Sequence, residues 1–339
     1  MNLRVLLETR LLALWHEPVS GAAWLLRPLE RGFVMLARWR RLRQTRSAQP
    51  LPVPVVVVGN ISVGGTGKTP LVIALAQLLN ARGLRVGIVS RGHGGSAYAP
   101  LCVVPDSDPR RCGDEALLMA ARSTAAVWVG RDRARTARAL LAAAPVDVIL
   151  ADDGLQHYRL ARTMEICVVD ATRGLGNGHC LPLGPLREPP ARLDEVSYVI
   201  LNGSAPAPPG VNVQGRMRVR PALWRRVHDD SPLALQAVAA GERVHAVAGI
   251  GNPQRFFALL RTLGVEPIEH PFADHHCFRA EDLRFGDTLR VVMTEKDAVK
   301  CRHFAAPDWL ALGIEAQLPD SLGEALLLHV ASDVSRSIP

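Results

Sequence analysis

Residues 54–70 read Pro54-Val55-Val56-Val57-Val58-Gly59-Asn60-Ile61-Ser62-Val63-Gly64-Gly65-Thr66-Gly67-Lys68-Thr69-Pro70. The unbroken valine run predicts a strand buried on both faces, as in a parallel sheet. Residues 71–79 are almost wholly apolar and follow Pro70, which reads as a helix with proline in its first turn. Strand, glycine loop and helix in this order form a phosphate cradle. Gly64, Gly65 and Gly67 let backbone N–H groups turn toward phosphate oxygens, and the helix adds the positive end of its dipole. The expected nucleotide-binding loop is Ser62, Val63, Gly64, Gly65, Thr66, Gly67, Lys68 and Thr69. Lys68 is expected at the terminal phosphates, and the Thr69 hydroxyl in the shell of a Mg²⁺ ion. Ser62 stands where the strict G-x-x-x-x-G-K-[ST] pattern has glycine.

Working outward, 54–201 alternates short apolar runs with helical stretches. Strands are expected at 55–58, 86–90, 127–129, 146–151, 166–169 and 198–201, and helices at 71–81, 114–122 and 131–144. That alternation predicts a parallel sheet with helices on both faces, and ligands beyond the carboxyl ends of its strands. A loop rich in Pro, Gly and Ala follows at 202–212. A smaller second α/β unit then comprises a strand at 245–248, a glycine turn at 249–253, a helix at 254–263 and a strand at 291–293.

The chain has 339 residues, 48% hydrophobic and 21% charged, enough for a substantial core and two units. Six cysteines without a C-x-x-C pair argue for reduced thiols in a cytoplasmic setting. The net charge is +8, and residues 1–48 hold nine arginines against three glutamates. Leucine and tryptophan recur among those arginines at helical spacing. No apolar run there reaches the roughly 18 residues needed to span a bilayer. The pattern predicts amphipathic helices lying on an anionic membrane surface, and nothing in the remaining chain predicts nucleic-acid binding.

Only three basic residues are lysines: Lys68, Lys296 and Lys300. Asp152 and Asp153 end an apolar run and suit Mg²⁺, whereas Asp147 at its start reads as structural. Asp114 opens a helix after Gly113, either as a cap or as a base at the mouth of a site. Ser90-Arg91-Gly92 follows a strand and can hold an anionic group. The adjacent His275 and His276 cannot both face one point.

In order along the chain stand Gly59-Asn60 and the glycine loop, Ser90-Arg91-Gly92, Gly113-Asp114-Glu115 and Asp152-Asp153-Gly154-Leu155-Gln156-His157. They are followed by Gly184-Pro185-Leu186-Arg187-Glu188, Gly249-Ile250-Gly251-Asn252-Pro253, Phe272-Ala273-Asp274-His275 and Thr294-Glu295-Lys296-Asp297. Together they closely resemble the tetraacyldisaccharide 4′-kinase family of lipid A biosynthesis. His93 departs from the tyrosine expected after Ser90-Arg91-Gly92.

The resemblance implies transfer of the γ-phosphate of ATP to the 4′-hydroxyl of tetraacyldisaccharide 1-phosphate, at the cytoplasmic face of the bacterial inner membrane. It implies a catalytic set of Asp114, His275, Lys68 and Arg187, with Asp114 as base. Thr69, Asp152, Asp153 and Glu115 would hold Mg²⁺. Arg91, Gln156, His157, Glu188 and Lys296 are expected in substrate or accessory roles. The implied organisation is a leader at 1–48, a phosphate-loop kinase domain at 49–214 and a second domain at 215–317. Strands at 215–220 and 310–317 would link them, and 318–339 would pack back on the first. A membrane-associated regulatory ATPase or GTPase switch is the alternative.

Overall fold

The computed structural model describes residues 21–334 together with Trp15, Glu17 and Val19. The leader expected at 1–48 lies outside the described residues over 1–14, as does the segment expected at 318–339 over 335–339.

Residues 55–59 form β1 (Val55–Gly59), buried throughout. It pairs in parallel with β5 (Val148–Asp152) on one side and β6 (Met164–Asp170) on the other. β2 (Val86–Ser90) and β4 (Ala126–Val129) extend the sheet beyond β5, and β3 (Leu101–Val103) closes that edge antiparallel. β7 (Tyr198–Asn202) extends it beyond β6. The valine run is apolar at every position because both faces are covered. Val56 and Val58 pack with Leu71, Leu75 and Leu79 of helix Lys68–Ala81, and Val55 and Val57 pack with Ala137 and Leu140 of helix Arg133–Ala143. The C-terminal helix Asp320–Val334 inserts Leu322, Leu326 and Val330, spaced one turn apart, into the first of these cores.

β8 (Gly215–Arg226) begins in parallel with β7, then runs antiparallel to β13 (Leu310–Gln317), from Arg218↔Gln317 to Arg226↔Leu310. This ribbon enters a second sheet. There β9 (Pro232–Leu233) returns on β8, and β10 (Arg243–Ala248) lies between β11 (Glu266–Pro271) and β12 (Val291–Thr294). β12 pairs with β13. Phe256, Phe257 and Leu260 of helix Pro253–Thr262 cover one face with Trp224, while Phe278, Ala298 and Cys301 fill the other.

β5 starts two residues later than expected. Asp147 stands outside the ladder and caps the turn: its carboxylate accepts the Arg85 N–H at 2.7 Å and pairs with the Arg85 guanidinium at 2.6 Å. Before the first sheet, helix Arg27–Arg46 has no buried residue, although Phe33 and Val34 rest against the core. No helix among the described residues is long and apolar enough to cross a membrane.

Candidate active site

The carboxyl ends of β1, β2, β5, β6 and β7 converge on one cleft, a cavity of about 1650 Å³. Its walls include the loop at 63–69, the β8–β13 ribbon, His275, and Leu36 and Arg40 of the leader helix, whereas Ser62, expected in the loop, is outside the lining and bridges to Leu186. After β1 the chain turns with φ +99° at Gly64 and +90° at Gly67, a region that favours glycine. Space is also short: a Cβ at Gly64 would meet the Arg173 guanidinium, and one at Gly67 would meet the Asn202 amide.

The loop is held from outside. Val63 N–H donates to the Pro185 carbonyl at 2.8 Å, and Arg187 N–H donates to that of Ile61 at 2.6 Å. Asn202 Nδ2 donates to the Thr66 carbonyl at 2.9 Å, and the Arg173 guanidinium donates to that of Gly65. Lys68 Nζ donates to Asn60 Oδ1 at 3.1 Å and pairs with Asp153 Oδ1 at 3.2 Å. Arg187 approaches the other Asp153 oxygen at 3.5 Å.

Asp152 is the last residue of β5 and is 1% exposed. Ser90 Oγ donates to its Oδ2 at 3.1 Å, and its buried Oδ1 has no hydrogen-bond partner. Burial, with Glu115 and Asp153 nearby, pushes this carboxyl up to about 7. Burial also acts to raise Asp153, but the charges of Lys68 and Arg187 outweigh it and hold that carboxyl low. The donors facing the cleft (Asp152, Asp153, Glu115 and the Thr69 hydroxyl) are hard oxygens. An orphaned carboxylate oxygen among them fits the chemistry of Mg²⁺. Among the described residues no cluster of three or more His, Cys, Asp or Glu forms a complete metal cage. Mg²⁺ needs none, because it commonly uses one or two carboxylates together with nucleotide phosphates.

Across the cleft, Asp114 opens helix Asp114–Arg122 and is 4% exposed. His275 comes from the segment after β11, at φ +60°. Its Nδ1 lies 3.0 Å from Asp114 Oδ2 and 3.2 Å from Oδ1, although 161 positions separate the two residues. The hydrogen bond to Asp114 lifts the His275 imidazole above its ordinary range. Burial opposes the Asp114 charge, but the His275 hydrogen bond and the charges of Lys296 and Lys300 keep that carboxyl low. His276 turns away to Asp282 at 3.1 Å, so the two adjacent imidazoles diverge. His93 has its ring 4.8 Å from that of His275.

Three expected accessory residues brace the site from beneath. Gln156 Nε2 donates to the Asn60 carbonyl at 3.1 Å and to Glu188 at 2.9 Å, while the Tyr158 hydroxyl donates to the other Glu188 oxygen. His157 Nε2 accepts the N–H of Arg133 at 3.2 Å, at the start of helix Arg133–Ala143. Arg91 lines the open cleft, and Lys296 bridges Glu115 and Asp274 at 3.2 and 3.1 Å. Sequence reading missed Asn202, Arg133 and Arg173, and named Asn60 in a motif without giving it a role. Asn202 ends β7 and Arg173 follows β6, and position just past a parallel strand is the signal that finds such residues.

The family model described as tetraacyldisaccharide-1-P 4′-kinase matches residues 22–331. The chain belongs to this family. A tetraacyldisaccharide 4′-kinase of Pseudomonas putida is 50% identical over 313 residues, spanning 91% of this chain and 92% of that protein. One from Pseudomonas paraeruginosa is 49% identical over 311 residues, with the same coverage. The crystal structure of the "apo" form of LpxK from Aquifex aeolicus in complex with ATP superposes with a TM-score of 0.78. It is 25% identical and covers 91% of this chain and all of that one. These relationships do not favour the regulatory-switch alternative.

His157 supplies a pH test of the brace. Burial, then the charge of Arg133, depresses its imidazole to about 4. The folded protein therefore favours the neutral ring. The stability His157 contributes is complete above its unfolded value of about 6.5 and is lost as pH falls through 4. His157→Gln keeps an acceptor without the titration. Its melting temperature should fall less than the parent's between pH 7 and pH 5, and parallel curves would refute this role.

Proposed function

We propose that this protein transfers the γ-phosphate of ATP to the 4′-hydroxyl of tetraacyldisaccharide 1-phosphate. The observation that carries the reading is the Asp114–His275 pair, held at 3.0 Å with its imidazole on the wall of a cleft that the phosphate loop also lines. Family membership supports the acceptor, and the ATP complex of the Aquifex relative supports the nucleotide.

The chemistry follows from the groups present. The backbone N–H groups of the glycine loop and the start of helix Lys68–Ala81 cradle the phosphates. Lys68 exchanges its pairing with Asp153 for the terminal phosphates, and Arg187 neutralises charge developing there. Thr69, Asp152, Asp153 and Glu115 would hold Mg²⁺, which when bound would neutralise phosphate charge. The 4′-oxygen forms its bond to γ-phosphorus as the bond to the bridging oxygen of ADP breaks, and its proton passes to the Asp114–His275 pair. Asp114 is the base and His275 orients it. Asp114 is nearly buried in this conformation, so binding of the acceptor must open a path to it without parting it from His275. We assign 49–214 to the kinase unit, 215–317 to the second unit and 318–334, the described part of the last segment, to a return onto the first.

A lipid acceptor requires a lipid surface. Leu25, Leu29, Met35, Leu36, Trp39 and Leu42 are all exposed along one helical stretch, among nine arginines at 1–48. Leu36 and Arg40 of the same helix line the cleft, so the apolar surface runs into the site. The reading is a peripheral enzyme on the cytoplasmic face of the inner membrane.

Radiolabelled γ-phosphate transfer to the purified disaccharide 1-phosphate tests the reaction. Asp114→Ala and His275→Ala should each lower kcat by about a hundredfold or more while leaving KM for ATP little changed. The double variant should be little worse than the poorer single one, and fully additive losses would sink the pair as one unit. Replacing Leu36 and Trp39 together with glutamate should weaken sedimentation with anionic vesicles at least about tenfold, since each such side chain contributes about 1.5–3 kcal/mol when buried. Unchanged binding would refute the interfacial role of this helix.

A further inference from the structure

Lys296 and Lys300, two of the chain's three lysines, have no part in the phosphate chemistry above. Both lie on helix Glu295–Cys301 of the second unit, four residues apart and hence on one face. Thr294 caps this helix, accepting Asp297 N–H at 3.1 Å. The preceding Glu295 is gripped by Arg122 from the end of the Asp114 helix, and it accepts Ile314 N–H of the ribbon at 3.1 Å. Arg122 also pairs with both oxygens of Asp230, at 2.7 and 2.8 Å. The helix is thereby fixed against the first unit.

From that anchorage Lys296 reaches three carboxylates. Its Nζ lies 3.2 Å from Glu115 Oε1, 3.1 Å from Asp274 Oδ1 and 3.9 Å from Asp114 Oδ2. Lys300 Nζ stands 3.9 Å from the same Asp114 oxygen, is paired with Asp297 at 2.7 Å and lies 4.9 Å from the centre of the Phe278 ring. Asp274 matters most, because its Oδ1 also accepts the N–H of His275 at 3.0 Å. Without a cation between them, Asp274 would be repelled by Glu115 and Asp114. The imidazole would be carried off with it, from a backbone position at φ +60° that its surroundings must hold.

We propose that Lys296 is a positioning residue for phosphoryl transfer: by tying Asp274 of the second unit to Glu115 of the first, it seats His275 on Asp114. Lys300 adds a second positive charge behind the same carboxylate. The proposal rests on the reading of Asp114 and His275 as the proton-accepting pair. It gives the Thr294-Glu295-Lys296-Asp297 segment a task separate from holding the nucleotide.

The test is transfer kinetics of the full chain carrying Lys296→Met, Lys296→Arg, His275→Ala and the Lys296→Met/His275→Ala combination. A displaced imidazole should cost about a hundredfold in kcat for Lys296→Met, with KM for ATP within about twofold. Lys296→Arg, which keeps the charge, should recover at least about tenfold of that loss. In the His275→Ala background Lys296→Met should add less than about a further twofold. An equal loss in both backgrounds, or no loss from Lys296→Met, would overturn the proposal. Near-normal activity of His275→Ala alone would instead remove the pair on which it rests. Should Lys296→Met fail to fold, Lys296→Gln carries the same comparison, with its melting temperature as the check.

Discussion

The contact between Asp114 and His275 is the constraint around which the rest of the site is arranged. It joins residues 161 positions apart, one at the start of a helix on the larger sheet and the other after the edge strand of the smaller one. Their meeting depends on how the two sheets are joined and not on sequence neighbours alone. Asp114 stays anionic in a nearly dry position because the imidazole and two ammonium groups face it. Remove those partners and burial alone would drive the carboxyl toward its neutral form.

Geometry on this scale needs a rigid frame on each side and a defined joint between them. The larger sheet supplies one frame, its all-parallel centre buried between two helical layers. The smaller sheet supplies the other, with Trp224 sealed where the ribbon enters it. The joint is the β8–β13 ribbon, reinforced by the Arg122–Glu295 and Arg122–Asp230 ion pairs. Partly buried ion pairs of this kind contribute little net stability and more to orientation. Orientation matters most for phosphoryl transfer, whose chemistry depends on position and charge neutralisation.

Much of the frame could be read from the sequence. Val55 to Val58, the glycine loop and the helix beyond it have one physical solution, and the helix at 114–122 follows from its apolar spacing. β11 was not legible. Glu266-Pro267-Ile268-Glu269-His270-Pro271 carries two prolines and two acids, which a strand tolerates only because it lies on a sheet edge. The short β3 was missed for a similar reason, since three residues offer no periodicity. Within the site, Lys68, Asp152 and Asp153 announce themselves by motif, whereas Arg173 and Asn202 are single polar residues that acquire meaning only when strand order brings them to the loop. Gln156, His157 and Glu188 were legible as residues but not as braces, because sequence does not show which side of the loop they occupy.

The central claim is that His275 and Asp114 share a hydrogen bond across the two units, and nitrogen-15 NMR of the histidine side chains at a series of pH values tests it directly. Asp114 lifts the His275 imidazole, so that ring should remain cationic above the ordinary histidine value of about 6.5. In Asp114→Asn its titration should move down toward that value. A His275 resonance that titrates at the ordinary value in the parent, and does not move in Asp114→Asn, would contradict the account.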